Sequence, residues 1–261
     1  MKLRIRNRLQ LRTHVIVGSI IVLLTGAFSF LFFFGDAENA KASSSGDYRT
    51  RQSGNWTSSN TWEKYNGWYW STTSSSPDDG DKSINIQSGH TITITSNLTV
   101  DELTIDAGGT LKVDDKDLKV DDGSGVDITV NGTLILNSKI KMEKNSSMSV
   151  YGTVYHNSDN FDMKDHTDVE VYNGGLFVQK GGSLDDDKGD WHFYNGSTFE
   201  HAMNGNSILK ATWASNSTCL LSGTTNNFPG NLNQTFGNFT INTPGLSSNK
   251  IVGSQLDNIR G

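Results

Sequence analysis

Lys188 stands inside the acidic run Asp185, Asp186, Asp187 and Asp190, with His192 just beyond it and Glu200-His201 further along. Paired carboxylates beside an imidazole and an ammonium are groups that could serve glycoside hydrolysis, one as acid and the other as base or nucleophile. Clustered carboxylates are also what calcium takes, because a hard cation collects oxygens, so Asp185, Asp186 and Asp187 form a candidate calcium site. No other cofactor is implied. A second acidic group comprises Asp114, Asp115, Asp117, Asp121 and Asp122, and neither group matches the D-x-[DN]-x-[DN]-G calcium loop. Solvated turns, whose charge opposes edge-to-edge strand pairing, account for both groups without any ligand. Trp68, Tyr69 and Trp70 are the other candidate, since a flat π face packs against the C–H face of a pyranose ring. The chain has no G-x-S-x-G elbow, C-x-x-C pair, P-loop or dinucleotide fingerprint, so no catalytic residue is assigned and an enzyme is not the reading favoured.

The elements that would position these side chains repeat. A glycine, a small or polar residue and an apolar residue recur at Gly89-His90-Thr91-Ile92, Gly109-Thr110-Leu111, Gly132-Thr133-Leu134, Gly152-Thr153-Val154, Gly174-Gly175-Leu176 and Gly196-Ser197-Thr198-Phe199. The interval is about 20 to 23 residues, within the range of solenoid repeats. Inside each repeat the apolar residues alternate, as in Ile84 and Ile86, Ile92 and Ile94, Leu103 and Ile105, or Leu118 and Val120, which is the period of short half-buried strands. Asn131-Gly132, Asn173-Gly174 and Asn195-Gly196 could signal hairpins, but a meander does not require a fixed long interval, whereas a coil returning to one corner does. The glycines are therefore expected at corners that need positive φ. Aligning those corners stacks Thr104-Ile105, Thr129-Val130, Ser149-Val150, Val171-Tyr172 and Phe193-Tyr194. Seven or so coils at the spacing of parallel strands, about 4.8 Å, predict a rod of roughly 35 Å. An open solenoid end must be covered, and the aromatic-rich stretch with Trp56, Trp62, Tyr65 and Trp68 is expected to form an N-terminal cap.

The ends and the charge place the chain. Lys2, Arg4, Arg6, Arg8 and Arg12 precede an uncharged apolar run over residues 15–34, followed by Ala40-Lys41-Ala42 and Ser43-Ser44-Ser45, the pattern of a signal peptide cleaved near Ser43. The run is also long enough to span a bilayer as an uncleaved anchor, the only membrane contact expected. With the leader set aside, the formal net charge of −6 becomes about −10. An acidic body without a Lys/Arg cluster is a poor partner for nucleic acid. Cys219 alone cannot form an intrachain disulfide, so stability has to come from stacking. The reading divides the chain into a leader or anchor (1–42), linker and cap (43–81), regular coils (82–200) and looser continuing coils (201–261), the last including Phe239-Thr240-Ile241 and Lys250-Ile251-Val252 and stopping as a truncated array would.

Ser53-Gly54-Asn55-Trp56, Ser59-Asn60-Thr61-Trp62, Pro77-Asp78-Asp79-Gly80-Asp81, Ile84-Asn85-Ile86-Gln87-Ser88-Gly89-His90-Thr91-Ile92 and Leu103-Thr104-Ile105-Asp106-Ala107-Gly108-Gly109-Thr110-Leu111 together resemble a module of large secreted and surface proteins of Gram-negative bacteria, similar to the extracellular eight-glycine (G8) domain. The resemblance covers residues 48–200 and implies architecture more than activity, since such modules occur in adhesins and in carbohydrate-active enzymes. The expectation is thus an all-β, right-handed parallel β-helix, exported to the cell surface, outer membrane or medium, with a structural or adhesive role. The alternative is a protein that binds or degrades polysaccharide, and surface glycan or further domains of a longer protein are the partners expected.

Overall fold

The structure, a computed structural model, describes residues 42–245 and the backbone of residues 258 and 259. The leader at 1–42 and the strand-like piece Lys250-Ile251-Val252 lie outside the described residues, Ala42 apart. Within them the chain is a parallel β-solenoid of about eight turns with almost no helix. Each full turn lays one strand in each of three sheets: Leu103–Ile105, then Thr110–Val113, then Leu118–Val120, before Ile128–Val130 returns to the first sheet directly above Leu103–Ile105. The sheets contain ten, nine and five strands, and every pairing between successive turns is parallel. Strands continue beyond residue 200 at Thr212–Trp213, Thr218–Leu221, Thr235–Phe236 and Asn238–Ile241.

Alternation explains the core. In most strands of the coil the inward residues are buried and those between them half-exposed, so stacking converts one apolar position into a column such as Ile92, Leu111, Leu134, Val154, Phe177, Phe199 and Cys219. The fill changes along the axis. The five-stranded sheet ends at Ser183–Leu184, and beyond it aromatic rings occupy the interior: Trp191 packs edge-on against Phe177 at 5.1 Å, and Phe193 stacks on Trp213 at 4.5 Å. One inward column turns polar, with Leu136 followed by His156, Gln179 and His201, and then Leu221. His201 donates from Nε2 to the Gly205 carbonyl at 2.8 Å, and Gln179 donates to Gly182 O at 3.3 Å. His156 is fully buried and neither ring nitrogen has a hydrogen-bond partner.

At the N-terminal end the ten-stranded sheet changes sense. Tyr48–Thr50 is parallel to Ile84–Ile86, but Trp62–Tyr65 and Trp70–Thr72 add to it as antiparallel strands. Trp56 and Trp62 are fully buried there at 4.7 Å, their indole N–H groups donating to Pro77 O and Trp56 O. The burial of a polar indole edge is tolerated because each N–H is satisfied.

The corner alignment requires correction at two turns. Val130 stacks on Val150, Val171 and Phe193, so the residues at the preceding outward position are Thr129, Ser149, Glu170 and His192, and Tyr172 and Tyr194 lie outside the ladder to which the glycine alignment assigns them. The cause is an uneven corner. Val150 is followed by Tyr151-Gly152, whereas Val171 is followed by Tyr172-Asn173-Gly174-Gly175, so registering on glycine shifts the strands by one. The glycines themselves are of two kinds. Gly174 has φ +82° with open space around it, as expected. Gly152 does not have positive φ; a Cβ there would sit 2.1 Å from the Gly132 carbonyl oxygen of the turn below, so it is required by close approach of two backbones.

Two outcomes follow. Gly152→Ala is expected to cost about 2–4 kcal/mol, because the contact is with rigid backbone, and Gly174→Ala about 1–2 kcal/mol, from the left-handed φ alone since its Cβ meets nothing; urea unfolding of both variants checks it. Burial lowers the His156 pKa from 6.5 to about 4. The fold therefore holds it neutral, and this contribution to stability is intact above pH 6.5 and lost as pH falls toward 4, by up to about 3 kcal/mol. His156→Leu, which copies Leu136 and Leu221 of the same column, should flatten that acid slope in a thermal-melt series.

Candidate functional site

The outward face of the ten-stranded sheet gathers the residues with most chemical capacity. Ser147–Val150, Asp168–Val171 and Asp190–Phe193 are successive rungs there, with Asp168 opposite Asp190 and Glu170 opposite His192. Tyr151, Tyr172 and Tyr194 follow these strands, and each donates its backbone N–H to the rung below, at Val130, Val150 and Val171. Because the three phenols occupy one position on consecutive turns, they stack: Tyr151 on Tyr172 at 4.6 Å and 7°, Tyr172 on Tyr194 at 4.9 Å and 12°. Glu170 ties two of them, accepting from Tyr172 Oη at 2.7 Å and from Tyr194 Oη at 2.8 Å. The His192 ring lies beside Tyr194, 6.3 Å away with planes within 21°.

Burial raises carboxyls above their usual range at two places on the coil: on this face, and at Asp101 and Asp127, where the Asp101 carboxyl is pushed up to about 6. Four outward carboxylates elsewhere are paired with lysine: Asp114 with Lys112, Asp121 with Lys119, Asp162 with Lys139 and Glu143 with Lys141, all at 2.5–2.6 Å. Among the described residues Asp168 and Asp190 have no such partner. Burial raises the Asp168 carboxyl above its usual range, and Asp190 and Glu170 add to that against the pull of His192. One ligand atom from each of Asp168, Asp190 and His192 lies within 4.8 Å of the others, a donor set that could share protons or hold a cation.

The expected residues are dispersed differently. Asp185, Asp186 and Asp187 do not point at a common centre: Asp185 accepts from the Asp187 amide at 3.1 Å, while Asp186 accepts from the Lys210 amide. Asp186 and Asp187 border a cleft of about 240 Å³, lined also by Lys188, Asp190, Lys210 and Thr212. Glu200 faces outward and accepts from Ser222 Oγ at 2.6 Å, whereas His201 is inside the core, so neither reaches His192. Trp68 and Tyr69 form the tip of a hairpin, 87% and 63% exposed, their amides held by Asn66 Oδ1 at 2.9 and 3.1 Å. Trp70 is set apart on its strand, with the Arg49 guanidinium 4.2 Å over the ring. Behind the hairpin lies a polar cleft of about 490 Å³ that includes Lys64, Tyr65, Asn66 and Ser71. In the other acidic group, Asp114 is built into a corner ladder, accepting from Asn137, which accepts in turn from Asn157, both at 2.6 Å.

The tyrosine ladder is absent from the sequence-based candidates. Its signal was present: Tyr151, Tyr172 and Tyr194 recur at intervals of 21 and 22 residues, the repeat itself.

A parallel solenoid whose outward side chains form axial ladders defines a structural repeat protein. Residues 62–185 match the model of the G8 domain, so the chain carries a G8-like domain over that stretch. No curated protein and no solved structure matches the chain.

The Glu170 tether sets an expected titration. Burial and then the hydrogen bond to Glu170 raise the Tyr172 phenol above the usual 10.0, and the hydrogen bond to Glu170 and then burial raise that of Tyr194, so their contribution to stability is present at neutral pH and is lost as pH rises from 10.0 through their folded pKa. In Glu170→Gln the two phenols should ionise at lower pH, read by tyrosinate absorbance in an alkaline titration.

Proposed function

We propose that the chain is an exported structural module of the bacterial cell surface with an adhesive role, in the Gram-negative setting of the proteins its repeat resembles. In this reading the leader at 1–42 carries it across the membrane, the helix is right-handed, as crossovers between parallel strands nearly always are, and the antiparallel strands with Trp56 and Trp62 cap its first turn. The observation that carries the reading is the continuous ladder from Tyr48 to Ile241, in which outward groups mostly satisfy one another through lysine–carboxylate pairs and Asp–Asn ladders. Such a surface is built for persistence outside the cell. The G8-like domain at residues 62–185 supports the same class.

A second reading, glycan binding at the hairpin, is favoured by Trp68 and Tyr69, two adjacent rings exposed together at its tip whose flat faces can pack on a sugar ring.

The expected outcome in expressing cells is a mature N-terminus at or near Ser43, protease sensitivity of the chain on intact cells, and weaker attachment to matrix when the gene is removed. A chain that keeps Met1 and stays in the cytoplasm overturns the assignment. Loss of attachment in Trp68→Ala cells with normal surface display would move it to the second reading.

A further inference from the structure

The tyrosine ladder stops for a visible reason. The position after Tyr194 on the next turn is Ala214, whose amide donates to Phe193 O at 2.9 Å just as the Tyr194 amide donates to Val171 O. In the same way His192 is followed by Thr212. Tyr194 has Tyr172 stacked on one ring face and is 39% exposed, and the next rung carries a methyl group at the corresponding position rather than a fourth phenol. The His192 ring lies 6.3 Å from Tyr194 with its plane within 21°, opposite Thr212 on the next rung and with a ring nitrogen within 4.8 Å of an Asp190 carboxylate oxygen. Thr212 and Asp190 also line the cleft of about 240 Å³ that holds Asp186, Lys188 and Lys210. The result is a two-ring shelf running into a polar cleft.

We propose that this shelf is a binding site for a neutral pyranose residue of a polysaccharide, which takes the place of the missing fourth ring. The shape requires a flat, six-membered ligand that can lie at the rung spacing on Tyr194, and the C–H face of a pyranose supplies one. The rim chooses a sugar over a plain aromatic. Asp190, Thr212 and Asp186 accept hydrogen bonds and Lys188 and Lys210 donate them, which matches a ring carrying hydroxyls on its edge. Charge excludes acidic glycans, since Asp168, Glu170, Asp186, Asp187 and Asp190 outnumber the two lysines around the shelf. The platform is preorganised: Glu170 fixes the Tyr172 and Tyr194 hydroxyls, so little rotamer freedom is lost on binding. His192, Tyr194 and Ala214 all lie beyond residue 185, where the match to the G8 model ends. The site is separate from the Trp68 hairpin and does not depend on export or adhesion.

Affinity electrophoresis of the full-length chain through gels containing a soluble β-glucan, a xylan or a galactomannan, with polygalacturonate as the charged control, tests it. Retardation by at least one neutral polysaccharide and none by polygalacturonate is expected. Tyr194→Ala should weaken binding about tenfold or more, while Trp68→Ala leaves it unchanged. Ala214→Tyr keeps every native ring and extends the stack to a fourth, so it should fold at least as stably as the parent and lose binding because it fills the shelf; this variant decides the matter if Tyr194→Ala fails to fold. No retardation by any neutral glycan, preference for polygalacturonate, or full binding by a folded Ala214→Tyr chain overturns the proposal. Loss of binding in Trp68→Ala with Tyr194→Ala unaffected does so too, and assigns glycan contact to the hairpin.

Discussion

Backbone hydrogen bonding between parallel rungs imposes one condition on everything else in this molecule: whatever stands at a given position in one turn must be compatible with what stands at that position one strand spacing above and below. The condition is satisfied inside by apolar columns and outside by pairs that tolerate each other at that distance. Like charges would repel along such a column, and the chain avoids this by setting lysine beside its own carboxylate, as in Lys112 with Asp114 and Lys119 with Asp121. Asparagine is suited to the corners because its amide can donate to one rung and accept from the next, as Asn137 does between Asp114 and Asn157. The same constraint makes Gly152 necessary, where two corners approach more closely than a methyl group allows.

Departures from this economy occur at Asp101 and Asp127 in the earlier turns and again, several together, in the C-terminal turns. There the third sheet ends, aromatic rings take over the interior, a polar column with His156 and His201 enters the core, and Asp168 and Asp190 face each other without a lysine. Burying an imidazole with both nitrogens unpartnered is costly, and placing carboxylates on adjacent rungs is too. Structural repetition alone gives no reason for the tyrosine ladder and the His192 shelf to occupy the same turns. That coincidence is what directs attention to this face rather than to the acidic run as such.

The fold was legible from the residues because its two periods are both written in them. Alternation at Ile84 and Ile86 or Leu103 and Ile105 specifies strands, and the return of Gly-Thr-Leu and its variants specifies coils. The candidate site was less so. Asp185, Asp186 and Asp187 are adjacent in sequence, but in a turn successive side chains diverge, and Asp185 and Asp186 are occupied by different backbone amides. Trp68, Tyr69 and Trp70 form one string of letters and two environments, a bare hairpin tip and a ring under Arg49.

What the sequence determined by itself was the strand, the coil and the parallel stack, because hydrophobic periodicity is a local property that survives small errors of alignment. What only the tertiary structure decided was which outward residues are neighbours. Corners of unequal length, Tyr151-Gly152 against Tyr172-Asn173-Gly174-Gly175, shift the register by amounts that glycine spacing does not reveal, and a shift of one residue exchanges inside for outside. Spacing from glycine therefore aligned Tyr172 and Tyr194 with Val130 and Val150, and the strand register places them outside that ladder.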